Sequence, residues 1–121
     1  MANTFKAINF AAEPNSAGTP YVMYTAAGST TTVVLGLILA NIHTASVTAE
    51  VELVSTTASR GGANNVSNGT SFLVKDVQIP VGSSLEILSG SKVILEAGDK
   101  IQIDCSVADK LSGTLSVMEI T

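Results

Sequence analysis

The chain is short of the residues from which most protein chemistry is built. It has no tryptophan, one cysteine, one histidine and only 4% aromatic residues. A single cysteine, Cys105, excludes an intrachain disulfide. It sits in IQIDCSV, on the face of Ile101, Ile103 and Val107, and reads as a small buried apolar residue. A reactive thiol would want a nearby cation or a helix N-terminus, and neither is close in sequence. Charged residues make up 13% of the chain, against about 25% in ordinary domains. Such a surface is made of Ser, Thr, Asn and Gly, or is covered by partners. The six basic residues (Lys6, Arg60, Lys75, Lys92, Lys100 and Lys110) are scattered and the net charge is −4, which excludes a nucleic-acid surface built on clustered Lys and Arg. The most apolar run, Val33 to Ala40, falls far short of the roughly 20 residues that span a bilayer. The opening MANTFKAINF has no signal-peptide pattern. Synthesis in a cytoplasm is therefore expected, with no membrane partner.

Catalytic and metal-binding patterns are missing as well. His43 has no second histidine, and its nearest carboxylates, Glu50 and Glu52, lie across a turn. Those two glutamates share one face of one strand, the usual arrangement of a solvated surface. Asp99, Asp104 and Asp109 are dispersed, with no calcium-loop motif and no G-x-S-x-G. Tyr21 and Tyr24 are an odd number of residues apart on a strand, so they are expected on opposite faces and make no sugar platform. No enzymatic activity, cofactor, metal or small-molecule substrate is expected.

What is present is strand and turn chemistry. At 121 residues the chain suffices for one domain with one core. VTAEVELV (47–54) alternates cleanly: Val47, Ala49, Val51 and Leu53 inward, Thr48, Glu50 and Glu52 outward. That is a half-exposed antiparallel strand, because a helical period of 3.6 would scatter those residues. TTTVVLGLILANI (30–42) is apolar on both faces, with Val33, Leu35, Leu37 and Leu39 on one and Val34, Ile38 and Ala40 on the other; both are expected to be covered. Gly36 marks a bulge or a close approach. Further strands are expected at 20–25, 72–77, 83–88, 92–96, 100–107 and 114–120, with Ser89-Gly90 and Gly98-Asp99 as turns. One helical turn is the alternative at Ala108 to Leu111. Many short strands with Gly turns predict an all-β antiparallel sandwich or barrel.

IPVGSSLEI (79–87) and LEAGDKIQI (95–103) repeat one phrase: an apolar residue, three steps to a Gly, three steps to another apolar residue. Gly permits a positive φ, so the chain can turn over an edge into a new strand, with both apolar ends in one core. Residues 1–19 are expected as an arm ahead of a 20–121 sandwich, with Phe5 and Phe10 docking it on its own domain or on a neighbour. Residues 55–71 form a long polar loop, with Asn68-Gly69 as a hairpin tip.

FLVKD (72–76), IPVGSSL (79–85), VILEAGD (93–99) and LSVMEI (115–120), with MANTF (1–5), VMYT (22–25) and the strand ending in LAN (39–41), resemble small virion proteins of tailed bacteriophages, marine ones especially. That resemblance covers most of the chain and implies a β-sandwich or jelly-roll subunit on the capsid exterior. It is similar to capsid decoration, or cement, proteins, which sit as homotrimers and brace the major capsid protein. It brings no active-site residues. Phe5, Phe10, Tyr21, Tyr24, Val34 and Ile38 are then the candidate interface. A neck, collar, tail or fibre-attachment part is the alternative within a virion. A carbohydrate- or receptor-binding module using the 55–71 loop is the alternative outside it, disfavoured by the scarcity of aromatic rings.

Loss of residues 1–11 is expected to abolish particle binding and leave the domain folded. Ile103→Asp is expected to unfold the domain by burying an unpaired charge, and Gln102→Asp to be tolerated, with circular dichroism and thermal melts as the measurements.

Overall fold

The computed structural model describes residues 2–55, 69–88 and 92–121. In chain order the strands are β1 (Asn3–Glu13), β2 (Tyr21–Thr25), β3 (Thr31–Asn41), β4 (Val47–Val54), β5 (Thr70–Ile79), β6 (Ser84–Ile87), β7 (Val93–Leu95), β8 (Lys100–Cys105) and β9 (Leu111–Ile120). They form two antiparallel sheets packed face to face. The first has the order β1-β9-β3-β6, with β7 also paired to β3; the second has the order β2-β8-β4-β5. Because β6 and β7 share one edge of β3, they act as one interrupted strand. Strands from opposite ends of the chain lie side by side, β1 with β9 and β2 with β8. This is the connectivity of a jelly roll. Of the expected 55–71 loop, residues 56–68 lie outside the described residues, as does the Ser89-Gly90 turn, and Thr70 and Ser71 already belong to β5.

The doubled phrase builds the two corners where the chain changes sheet. Ser83 N–H donates to the Pro80 carbonyl at 3.2 Å, and Asp99 N–H to the Glu96 carbonyl at 3.0 Å. In both, the third turn residue is a Gly with positive φ, +73° at Gly82 and +88° at Gly98, the geometry of a type II turn. The first corner carries β5 into β6 and the second carries β7 into β8. Ile79, Leu95 and Ile101 are buried on either side and Leu85 packs against the same core.

Two bulges decide which side chains face inward. On β3 the register with β9 shifts between Val34 and Gly36. Alternation is therefore reset: Thr32 and Val34 point in before the shift, Leu37, Leu39 and Asn41 after it. Val34 joins the Leu37 and Leu39 side, and Val33 leaves it. On β2 the register shifts between Val22 and Tyr24, where Tyr21 is opposite Ile103 and Tyr24 opposite Ile101. Both tyrosines thus share the inner face with those isoleucines, against the simple odd-spacing expectation, because a bulge adds one residue to the count.

Residues 3–13 are not a free arm. They form the longest edge strand of the first sheet, in unbroken register with β9 from Asn3 to Phe10. Phe10 is 8% exposed and belongs to the core, its ring 5.3 Å from that of Tyr21 in an edge-to-face contact. Removing residues 1–11 would therefore strip β9 of one of its two partners and empty a core site. Ala108 and Asp109 form a turn, with φ +59° at Asp109, rather than a turn of helix.

Asn41 ties the β3–β4 crossover to the end of β5. Its Nδ2 donates to the carbonyls of Ala45 and Ile79, each at 3.0 Å, and its Oδ1 accepts His43 N–H at 2.7 Å. Gln102 faces outward as expected, but its Nε2 donates to Glu52 Oε2 at 2.6 Å, and Glu52 is itself buried.

Gln102→Asp would replace that donor by a second carboxylate. It is now expected to lower the melting temperature, with the loss recovering as pH falls through the carboxylate range. Gly113 lies under Phe10, and a Cβ there would meet the ring at 2.6 Å. Gly113→Ala is expected to cost about 1–3 kcal/mol in denaturant unfolding, and the loss to shrink when combined with Phe10→Leu, since the two sites share one contact.

Candidate interaction surface

Alternation about the two bulges sorts the six candidate interface residues. Phe10 and Val34 are core residues, and Tyr21 and Tyr24 pack inward against the core. Phe5, 70% exposed, and Ile38, 46% exposed, remain on the surface, both on the outer face of the first sheet.

That face can be read row by row from the pairings. Phe5 lies opposite Met118, Met118 opposite Val33, and Val33 opposite Ile94. Four strands thus contribute one continuous apolar row. Asn3, Ile120 and Thr31 make the row on one side of it. On the other side lie Ala7, Ser116 and Gly36, then Asn9, Thr114, Ile38 and Glu86, then Ser112, Ala40 and Ser84. Among the described strand residues of this face Glu86 is the one charge. Leu35, Gly36, Ile38, Glu86, Thr114 and Ser116 line a depression beside the β3 bulge.

The outer face of the second sheet is different. Glu50 is opposite Asp104, Glu52 opposite Gln102, and Val54 opposite Lys100. Lys75 Nζ sits 3.1 Å from Glu50 Oε1 and 4.7 Å from the centre of the Phe72 ring. One sheet therefore shows water an ordinary charged surface, and the other shows it a nearly uncharged one. Met118, Val33 and Ile94 were not among the sequence candidates. Their signal was present in VMEI (117–120), where apolar residues occupy both parities, but the β3 bulge had to be known before Val33 could be aligned with them.

Between the sheets, at the end carrying the apolar row, lies a polar cluster. Tyr24 Oη donates to Glu119 Oε2 at 2.5 Å and lies 2.9 Å from Thr32 Oγ1; Lys6 Nζ is 2.8 Å from Glu119 Oε1. Burial, then the bond to the Glu119 carboxylate, pushes the Tyr24 hydroxyl up to about 12. The Lys6 ammonium, then the Tyr24 hydroxyl, holds the Glu119 carboxyl below its ordinary value. The cluster joins β1, β2, β3 and β9.

No family model, curated protein or solved structure matches the chain. Its surfaces must speak for themselves. His43 is in the β3–β4 crossover, while Glu50 and Glu52 are engaged by Lys75 and Gln102 on the second sheet. Asp104 Oδ1 accepts the N–H groups of Gly18 and Cys105, at 3.2 and 2.8 Å. Among the described residues no three His, Cys, Asp or Glu side chains are placed to hold a metal ion, and no helix is long and apolar enough to cross a membrane. Cys105 is buried, and burial pushes its thiol up, away from the reactive thiolate.

The tyrosine–glutamate pair has two expected signatures. Unfolded Tyr24 ionises near 10.0 and folded Tyr24 near 12, so its contribution is intact below pH 10 and is lost as pH rises through that window. Tyr24→Phe should flatten the alkaline fall in unfolding free energy. Glu119, with a lowered folded value, contributes above its unfolded range and loses that contribution as pH falls through its folded one. Glu119→Gln should make the acid limb shallower.

Proposed function

We propose that the protein is a bacteriophage virion structural protein, a capsid decoration protein on the particle exterior. It assembles with copies of itself and seats the outer face of its first sheet on the major capsid protein lattice. The observation that carries this reading is the near absence of charge on that face, together with its apolar row of Phe5, Met118, Val33 and Ile94. A sheet face meant for water alternates apolar-in with polar-out, as β4 does from Val47 to Val51. A contiguous apolar row on a nearly uncharged face is at rest when another protein covers it.

Three further points support the reading. The strand and turn phrases resemble those of small phage virion proteins. Jelly-roll connectivity is shared by viral capsid and lectin domains. Between those two uses the aromatic residues favour the first: Phe10, Tyr21 and Tyr24 are turned inward, and exposed Phe5 and Phe72 lie on opposite sheets, so they form no pair of rings on which a sugar could stack. A neck, collar, tail or fibre-attachment position would use the same face at lower copy number.

Quantitative gels of purified particles are the direct test. A copy number comparable with that of the major capsid protein is expected, and one matching a single ring per particle would move the chain to the neck or tail. Ile94→Asp is expected to weaken particle binding by about 2 kcal/mol or more, with an unchanged circular-dichroism spectrum. Gln78→Asp, on the second sheet, should leave binding unchanged. Equal binding by both variants would sink the assignment of the face.

A further inference from the structure

β1 is an edge strand, and the phase of its hydrogen bonds follows from its first residues. Ala2 and Thr121 donate N–H to each other's carbonyl, at 3.3 and 3.0 Å. In an antiparallel ladder such doubly bonded pairs alternate with pairs that share no bond. The register continues without a break from Asn3 opposite Ile120 to Phe10 opposite Gly113. Thr4, Lys6, Ile8 and Phe10 therefore bond to β9. Asn3, Phe5, Ala7 and Asn9 turn their N–H and C=O groups to the open side. Among the described residues β1 pairs with β9 alone.

The other sheet edges carry features that discourage pairing. β2 is five residues long, follows Pro20 and contains a bulge. β5 has two register shifts, an exposed lysine at Lys75 and a positive φ at Asp76. β6 and β7 are four and three residues long. These are the usual devices that keep an edge from adding a strand. From Asn3 to Asn9 β1 carries one of them, Lys6, which is half-exposed and, like Lys75, ion-paired to a glutamate of the same chain. It has no bulge, proline or positive φ in that stretch, and it is longer than the other edges.

We infer that the open edge of β1 pairs antiparallel with β1 of a second copy, so that two first sheets become one. The occupant is specified by charge and phase. A register that sets Ala7 against Ala7 places Phe5 against Asn9 and Lys6 against Ile8. The open groups of each strand then meet the open groups of the other, and no two lysines face each other. The axis of such a pair is two-fold, where the resemblance to decoration proteins implies a three-fold one. Because it runs normal to the sheet, both Phe5 rows end on one side and the uncharged face is doubled. The inference rests on strand geometry and is independent of where the chain sits on a particle.

Sedimentation equilibrium of the full chain is expected to show a dimer. Amide hydrogen exchange by NMR is expected to show slow exchange at Phe5, Ala7 and Asn9 in addition to Thr4, Lys6 and Ile8. Ala7→Pro removes an N–H that points away from β9, so pairing within the subunit is kept. It should weaken association by about thirtyfold, one hydrogen bond being lost on each side of the axis. If that variant does not fold, the wild-type exchange pattern decides by itself. A monomer at all concentrations overturns the inference. So does a trimer or dimer in which Phe5, Ala7 and Asn9 exchange fast, or an Ala7→Pro dimer as tight as wild type.

Discussion

A strand sends alternate side chains to opposite faces, so a sandwich holds only if every strand keeps the correct parity along its whole length. In this protein several register shifts meet that constraint, and two of them set the core and the outer face of the first sheet. The bulge at Leu35, next to Gly36, lets β3 bury Thr32 and Val34 at one end and Leu37 and Leu39 at the other. The bulge at Met23 turns both Tyr21 and Tyr24 toward the first sheet. Without the first, Val33 and Leu35 would displace Val34 from the core. Without the second, Tyr24 could not reach Glu119. Core, polar cluster and outer apolar row all follow from where those two residues are added.

The same parity makes the two outer faces unequal. On the second sheet, outward positions hold Glu50, Glu52, Lys100 and Asp104; Lys75 engages Glu50, Gln102 engages Glu52, and Asp104 accepts the N–H groups of Gly18 and Cys105. On the first, they hold Phe5, Met118, Val33, Ile94 and a field of small residues. Hydration favours the first kind of surface and leaves the second with an unmet apolar area. The proposed role on a capsid puts that area to use. The low charge noted in composition is thus concentrated in its effect, one face being ordinary and the other nearly bare of charge.

The proposed pairing at the edge of β1 is a second kind of adhesion, made of backbone groups rather than apolar area. The Lys6–Glu119–Tyr24 cluster anchors this strand at one end, and Phe10 against Tyr21 and Gly113 anchors it at the other. Both anchors lie on the inner side. From Asn3 to Phe10 the strand is thereby held in register while its outer edge stays open.

Much of the fold was legible in the residues. Val47 to Val51 announced its alternation, the two Gly phrases announced their corners, and the strands from Pro20 onward lie near where the patterns placed them, with β5 and β9 starting two and three residues earlier. Burial of Cys105 followed from its neighbours Ile101 and Ile103. The sequence by itself therefore determined an all-β chain, its turns and its lack of a recognisable catalytic motif, because these depend on local period and on residue type. Tertiary structure alone decided that residues 3–13 are an edge strand, that Phe10 and Val34 are core, and that Phe5 lines up with Ile94 across four strands. Those facts depend on pairings between opposite ends of the chain and on two bulges. Local pattern does not encode which distant strand supplies the partner or where one residue is added to the count.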